Sequence, residues 1–430
     1  MRLSLNKFRG QGTGDRGQGI RRGLLICALG SFLFLMGASK ANKPAVLIKK
    51  LKNNHYQLIV NNKPYVIKGV CYNPVPIGQG HDYDWWADPY KPWLVDGKLM
   101  QEMGVNTIRV YKDGTDGESV KQAIGDLYKL YGIRTVMGHW LGFWHYPCPL
   151  YADVDFQDTI RQEVLNMVKT YKDEPGILMW VLGNENNYSF NGAVNSWSCP
   201  RIDEEQDPIK RVAMRAEIYY SFVNSLAKEI HAIDPNHPVV LGNGEAKYLE
   251  YAALVCPDID AIGCIIYRGR NFANLFNGIR FTFDKPVIFT EFGADSYDAF
   301  KDKEDQNMQA FFLESQWREI YQNLANNKEG AGNCLGGLSF EWTDEWWKNK
   351  EYDPDSFIVH DTGSNWANPG FYMDNQAKDG KNMNEEWFGI VALSDTEIES
   401  GLNKRIPRKA YYIIRDFWKN PLLKSKKKGK

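Results

Sequence analysis

The 430-residue sequence lacks a charge excess of either sign: Lys and Arg number 52, Asp and Glu 53, for a formal charge of −1. Without a global field there is nothing to draw in nucleic acid or an anionic membrane, and a small neutral substrate fits better. Cysteine is scarce, with seven in all, and no Cys-x-x-Cys or His-x-x-x-His spacing suggests zinc, so no metal or other cofactor is expected. No Gly-x-Gly-x-x-Gly turn follows the first predicted strand and no Gly-x-x-x-x-Gly-Lys loop occurs, which argues against an open nucleotide-binding sheet. What the chain has in quantity is aromatic side chains, 13% of all residues with 14 tryptophans. Sugar-binding clefts use flat aromatic faces and large cores use them too, so the count alone leaves both open.

The N-terminus carries a targeting signal. Arg2, Lys7, Arg9, Arg16, Arg21 and Arg22 form a basic leader, and Gly23 to Ala38 is an uncharged apolar run ending in small residues. Residues 1–41 therefore read as a secretory signal, cleaved near Ala38 or Ala41, or as an uncleaved anchor. The expected location is secreted, periplasmic or extracellular, with membrane attachment only if the segment is retained. Cys27 falls in this leader. Of the other six, Cys71 and Cys334 lie in or beside apolar runs and read as buried thiols, whereas Cys148 and Cys199 fall in Pro-containing loops and could pair in an oxidising compartment.

Past the leader, 44–420 reads as one domain and 421–430 as a solvated basic tail. Two runs, Ala45 to Lys50 and Tyr56 to Val60, predict a small hairpin around Asn53-Asn54, and a second turn at Asn61-Asn62-Lys63-Pro64 leads into the first core strand. Eight short β-rich runs then alternate with helical patterns: Val66 to Cys71, Thr107 to Tyr111, Arg134 to Met137, Ile177 to Leu182, Val239 to Leu241, Ala261 to Ile266, Val287 to Thr290 and Leu338 to Phe340. Five helices are clear, over Leu94 to Met103, Ser119 to Tyr131, Phe156 to Tyr171, Arg211 to Ile233 and Gln306 to Leu324. Eight strands with intervening helices predict an α/β fold, a closed (β/α)8 TIM barrel with right-handed crossovers. A long Trp-rich segment, Glu341 to Asn403, follows the eighth strand and reads as a lid or substrate wall.

Two glutamates close apolar runs: Glu185 in Ile-Leu-Met-Trp-Val-Leu-Gly-Asn-Glu-Asn and Glu291 in Pro-Val-Ile-Phe-Thr-Glu-Phe-Gly. A carboxylate at the end of a buried strand needs a reason. Ends of predicted strands four and seven meet at one mouth of such a barrel, where two acids at about 5 to 5.5 Å cleave glycosidic bonds with retention and at about 6.5 to 9.5 Å with inversion. Glu245 and Glu341 also follow predicted strands but lack such contexts. Glu341 can instead bind substrate, and Asp344 with Glu345 read as solvated.

The stretches Asn62-Lys63-Pro64-Tyr65-Val66-Ile67-Lys68-Gly69-Val70, Gly104-Val105-Asn106-Thr107-Ile108-Arg109, Val181-Leu182-Gly183-Asn184-Glu185 and Phe289-Thr290-Glu291-Phe292-Gly293 resemble the retaining glycoside hydrolases of clan A, most closely the catalytic barrel of family 2. The resemblance implies that Glu185 is the general acid/base and Glu291 the nucleophile. It also implies that Asn184 binds the hydroxyl next to the reacting carbon, that Arg109 holds Glu291 ionised, and that Tyr267 donates its hydroxyl to the same carboxylate. Read by themselves, these three are a surface asparagine, a peripheral ion pair and a core-edge tyrosine.

His139 and Trp140 follow strand three and Trp342 follows strand eight. The histidine either binds a sugar hydroxyl or caps its loop. Trp342 is expected as the platform under the reacting sugar, and Trp86, with Trp85, Trp144, Trp346 and Trp347, as rim aromatics or loop packing.

Familiar family 2 members carry β-sandwich domains ahead of the barrel, whereas about twenty residues separate the leader from the first core strand here. The expectation is therefore a more open cleft on a β-linked oligo- or polysaccharide, with β-glucan preferred. The Asn-Thr-Ile-Arg-Val-Tyr run is also similar to fungal-type β-1,3-glucanosyltransferases, which use the same two glutamates for transfer. A non-catalytic carbohydrate-binding barrel is the remaining alternative.

Overall fold

The computed structural model describes residues 46–363 and 383–421. The leader read over 1–41 and the basic tail, apart from Pro421, lie outside them. Among the described residues no helix is long and apolar enough to cross a membrane.

The chain opens with a three-stranded antiparallel sheet, β1 (Val46–Lys50), β2 (Tyr56–Val60) and β3 (Lys63–Tyr65). The barrel strands follow: β4 (Ile67–Cys71), β5 (Thr107–Val110), β6 (Arg134–His139), β7 (Ile177–Leu182), β8 (Val239–Gly244), β9 (Ala261–Ile265) and β10 (Val287–Gly293). After a short ribbon, β11 (Tyr297–Asp298) with β12 (Lys303–Glu304), the last barrel strand β13 (Cys334–Phe340) pairs in parallel with both β10 and β4 and closes the ring. The (β/α)8 expectation is met. Closure removes the edges of the barrel sheet and gathers the loops that follow its strands on the rim at the carboxyl ends.

Strand alternation sorts the apolar side chains into two layers. Ile67, Val136, Met179, Val181, Val240, Ile288 and Leu338 fill the barrel interior, together with Val46, Leu58 and Val60 of the N-terminal sheet, which plugs the end opposite the rim. Ile108, Val110, Trp180, Leu182, Ile262, Phe289 and Phe292 point outward to the helices. The five expected helices run Pro92–Met103, Gly117–Tyr131, Val154–Tyr171, Pro208–Ile233 and Gln306–Gln322. Leu249–Val255 and Leu275–Phe283 complete the crossovers; they are too short to show a helical period in the sequence.

Beyond β13 the expected long loop proves to contain a hairpin, β14 (Val391–Glu399) with β15 (Leu402–Pro407), ahead of the helix Lys409–Lys419. Its two-residue turn places Ser400 at φ 56° and Gly401 at φ 82°, a combination that suits hairpin twist and that glycine supplies freely. The described cysteines are all free thiols: Cys148 and Cys199 each pack against the outer core, so the pairing raised above is absent.

Candidate active site

Arg109 is set by β5. Its neighbours Ile108 and Val110 face the helices, so alternation turns the guanidinium inward just below the rim. There Nη1 donates to Glu291 Oε1 at 2.8 Å and to the Thr290 carbonyl at 3.0 Å, while Nη2 donates to Asn184 Oδ1 at 2.6 Å. Burial opposes its charge, but the Tyr111 and Glu291 oxygens outweigh that and raise its pKa.

Glu291 reaches the mouth through an irregularity in β10. Ile288 faces inward and Phe289 outward, so strict alternation would send Glu291 outward; the pairing register with β9 shifts between Phe289 and Glu291, and with β13 between Phe289 and Phe292. That bulge resets the alternation, leaving Phe292 outward and the Glu291 carboxyl facing the cleft. Besides Arg109, it accepts from Tyr111 Oη at 2.7 Å and from Tyr267 Oη at 3.0 Å. Burial pushes both phenol pKa values well up, so each stays a donor.

Glu185 stands on a tight turn at the end of β7. Gly183 adopts φ 82°, where an added Cβ would meet Tyr219 Oη at 2.4 Å. Glu185 itself takes φ 60°, ψ 15°, a left-handed conformation costing about 1 kcal/mol for a residue with a side chain. Asn186 holds this turn by accepting from the Asn184 amide at 2.6 Å and donating to the Trp140 carbonyl and Tyr151 Oη; Asn187 ties it to Gly244 of β8 at 2.9 and 2.7 Å. Burial first, and then the nearby Glu291, push the Glu185 carboxyl up to about 8. At neutral pH one acid is thus protonated beside another that three donors engage.

Both glutamates line one cleft of about 1610 Å³, above the usual range of about 300–1,000 Å³ for small-molecule sites. Asn184, Tyr267, Trp140 and Trp86 line it too; Trp140 stacks on Tyr111 at 5.2 Å and Trp86 on Trp85 at 3.9 Å. Arg109 lies under the floor rather than on it. Trp144, 64% exposed, and Tyr352, 91% exposed, stand at the margins.

Three expected residues are elsewhere. His139 caps its loop: Nδ1 accepts from the Leu141 amide at 3.0 Å and Nε2 lies 3.5 Å from Glu163. Trp342 is wholly buried in the outer core, 6.4 Å from the Tyr411 ring, because after β13 the backbone bonds to Cys71 on one side and Val391 on the other and carries the indole away from the mouth. Phe340, two residues earlier, supplies the aromatic face in the cleft. Glu341 is likewise buried behind the wall, with its amide bonded to the Phe388 carbonyl and burial pushing its pKa well up. Trp346 packs flat on His360 instead of lining the cleft, whereas Trp347 lines it.

Asp344 and Glu345, expected in solvent, are buried. Asp344 forms a two-point ion pair with Arg408 at 2.6 and 2.8 Å, while Glu345 lines the cleft beside Lys348 and Glu385. Tyr111, Glu345, Lys348 and Glu385 were not singled out as cleft residues from sequence. For Tyr111 the signal was present, since it lies two residues after Arg109 and so shares its face.

Residues 50–329 match the sequence profile described as "Glycosyl hydrolases family 2, TIM barrel domain". No curated protein sequence matches the chain. Among solved structures of like fold are a family 2 β-galacturonidase from Eisenbergiella tayi bound to galacturonate (15% identity, TM-score 0.53, 87% of this chain and 54% of that one) and the β-D-glucuronidase of Dictyoglomus thermophilum (14%, 0.53, 88% and 54%). A third is Bacteroides uniformis β-glucuronidase 2, covalently bound to cyclophellitol-6-carboxylate aziridine (15%, 0.54, 87% and 37%). The chain thus spans about half the length, or less, of these proteins.

Proposed function

The chain belongs to glycosyl hydrolase family 2, and from that membership we propose that it is a retaining β-glycosidase acting by double displacement on a β-linked oligo- or polysaccharide. One observation carries this reading: two carboxyl groups share the cleft, Glu185 with its pKa raised to about 8 and Glu291 engaged by Arg109, Tyr111 and Tyr267.

In the proposed first step Glu291 attacks the anomeric carbon as Glu185 gives its proton to the departing oxygen, leaving a glycosyl ester on Glu291. In the second, Glu185 takes a proton from water, whose oxygen displaces Glu291. The Arg109 and tyrosine donors hold the attacking carboxylate in place, and Asn184, held by the same guanidinium, meets the neighbouring hydroxyl. The cleft volume and the exposed margin aromatics Trp144 and Tyr352 favour a substrate longer than one sugar, with a β-glucan preferred.

The test is a 2-deoxy-2-fluoro β-glycoside with an activated leaving group. A stable adduct on the peptide containing Glu291, and no turnover by Glu291→Gln, is the expected result. Full activity in Glu291→Gln removes the assignment. Product masses from β-linked oligosaccharides separate hydrolysis from transfer, since transfer yields products longer than the substrate.

A further inference from the structure

The cleft wall contributed by the segment after β13 carries Glu345, Lys348 and Glu385. Glu345 is only 6% exposed, yet no described residue donates a hydrogen bond to its carboxyl; the Lys348 amide bonds its main-chain oxygen instead. A carboxyl that opens on a cleft with no donor from the protein keeps its acceptor capacity for a donor brought by the ligand. Lys348 does not fill that role: its Nζ pairs with Glu385 Oε2 at 3.1 Å and makes no ion pair with Glu345.

Position and charge point the same way. Burial pushes the Glu345 carboxyl up to about 8; Lys348 opposes this, and Glu385 and Glu291 add to it, so Glu345 stands within electrostatic reach of the attacking carboxylate. Among the described residues that line the cleft are four lysines and ten aspartates and glutamates, two of which, Glu185 and Glu345, have raised pKa values. Besides Lys348, Lys350 lies 3.8 Å from Asp361, and Lys247 sits over the Tyr188 ring at 5.2 Å. Arg109, under the floor, already serves Glu291 and Asn184. An anionic sugar entering here meets a lining in which carboxyl groups outnumber lysines.

We propose that Glu345, held beside the Lys348–Glu385 ion pair, is a specificity-determining residue that accepts a hydrogen bond from a hydroxyl or ammonium group of the sugar, and that this wall rejects sugars carrying a carboxylate. The inference rests on the glycosidase reading of the same cleft. Hydroxyl and ammonium are two sources of one chemistry, a donor on a sugar without negative charge.

Calorimetry on full-length Glu185→Gln protein, which retains Glu291, tests it with β-1,4-linked tetramers of glucose, of glucosamine and of glucuronic acid and with the β-1,3-linked glucose tetramer. The expected result is that a glucose or glucosamine tetramer binds at least about tenfold more tightly than the glucuronic acid tetramer, and that adding Glu345→Gln removes about tenfold of that advantage. A glucosamine preference lost in Glu345→Gln assigns the ammonium, and a glucose preference lost in the same way assigns the hydroxyl. Glu345→Ala and thermal melts of all variants separate lost recognition from lost folding. Equal or tighter binding of the glucuronic acid tetramer, an unchanged preference in folded Glu345→Gln, or binding of none of the four overturns the proposal. Turnover of the panel by wild-type protein judges the glycosidase reading separately: turnover with a uronate preference sinks this inference alone, and charge-selective binding without turnover sinks only the glycosidase.

Discussion

Arg109 Nη1 donates to Glu291 Oε1 at 2.8 Å with both side chains buried, and the same guanidinium reaches Asn184 at 2.6 Å. One cation thereby sets the proposed nucleophile Glu291 and the Asn184 amide relative to each other. Arg109→Lys leaves a point charge that serves one partner at a time, so kcat is expected to fall by about 10²-fold or more, with a smaller change in KM. Steady-state kinetics on an activated aryl β-glycoside measures this, and an unchanged kcat refutes it.

Tyr111→Phe isolates one hydrogen bond. The ring remains stacked on Trp140, and only the donation to Glu291 at 2.7 Å is lost. A loss of about tenfold in kcat is expected, with melting temperature nearly unchanged. A large drop in melting temperature would show instead that the hydroxyl holds the fold.

Glu185→Gln should show its effect through the leaving group. Glycosides whose leaving group needs a proton are expected to lose about 10²- to 10⁴-fold in kcat, while dinitrophenyl glycosides lose little in the first step. A uniform loss across leaving groups contradicts acid assistance.

The raised pKa of Glu185 has two pH signatures. Acid assistance requires its proton, so kcat/KM is expected to fall as pH rises through about 8. For stability, the folded-state value stands above the ordinary 4.5, so the folded protein binds this proton more tightly than the unfolded chain. The resulting stabilisation is full below the unfolded value and is lost as pH rises through about 8; Glu345 and Glu386 are shifted in the same direction. Glu185→Gln removes the Glu185 share, on the order of a few kcal/mol at most, so its melting temperature should gain on the wild type as pH goes from about 5 to about 8. A gap that stays constant with pH contradicts the shift.

Trp342→Phe separates core from cleft. Trp342 is buried against the C-terminal helix, so the smaller ring is expected to cost about 1–3 kcal/mol of stability while KM stays unchanged. A raised KM with an unchanged melting temperature would return Trp342 to the substrate.

Much of the barrel was legible because its evidence is local. A parallel strand buried on both faces reads as an uninterrupted apolar run, as in Ile177–Leu182, and a helix shows its period over a few turns, as in Gly117–Tyr131. The two strand-end glutamates stood out on the same ground. Leu249–Val255 gave no such signal, being seven residues long, and the β14–β15 hairpin was hidden inside a segment rich in loop-forming residues.

Which side chains enter the cleft is a different kind of question. Glu291 faces the mouth through a register shift between β10 and its neighbours, and Trp342 leaves it because Cys71 and Val391 bind its backbone on either side. Glu345 lines the cleft because the segment after β13 folds back over the barrel end. The sequence alone determined the eight barrel strands, the five longer helices and two glutamates at strand ends, since these depend on neighbours along the chain. Only the tertiary structure decided their surroundings, because a bulge, a register and a returning loop are set by partners far away in sequence.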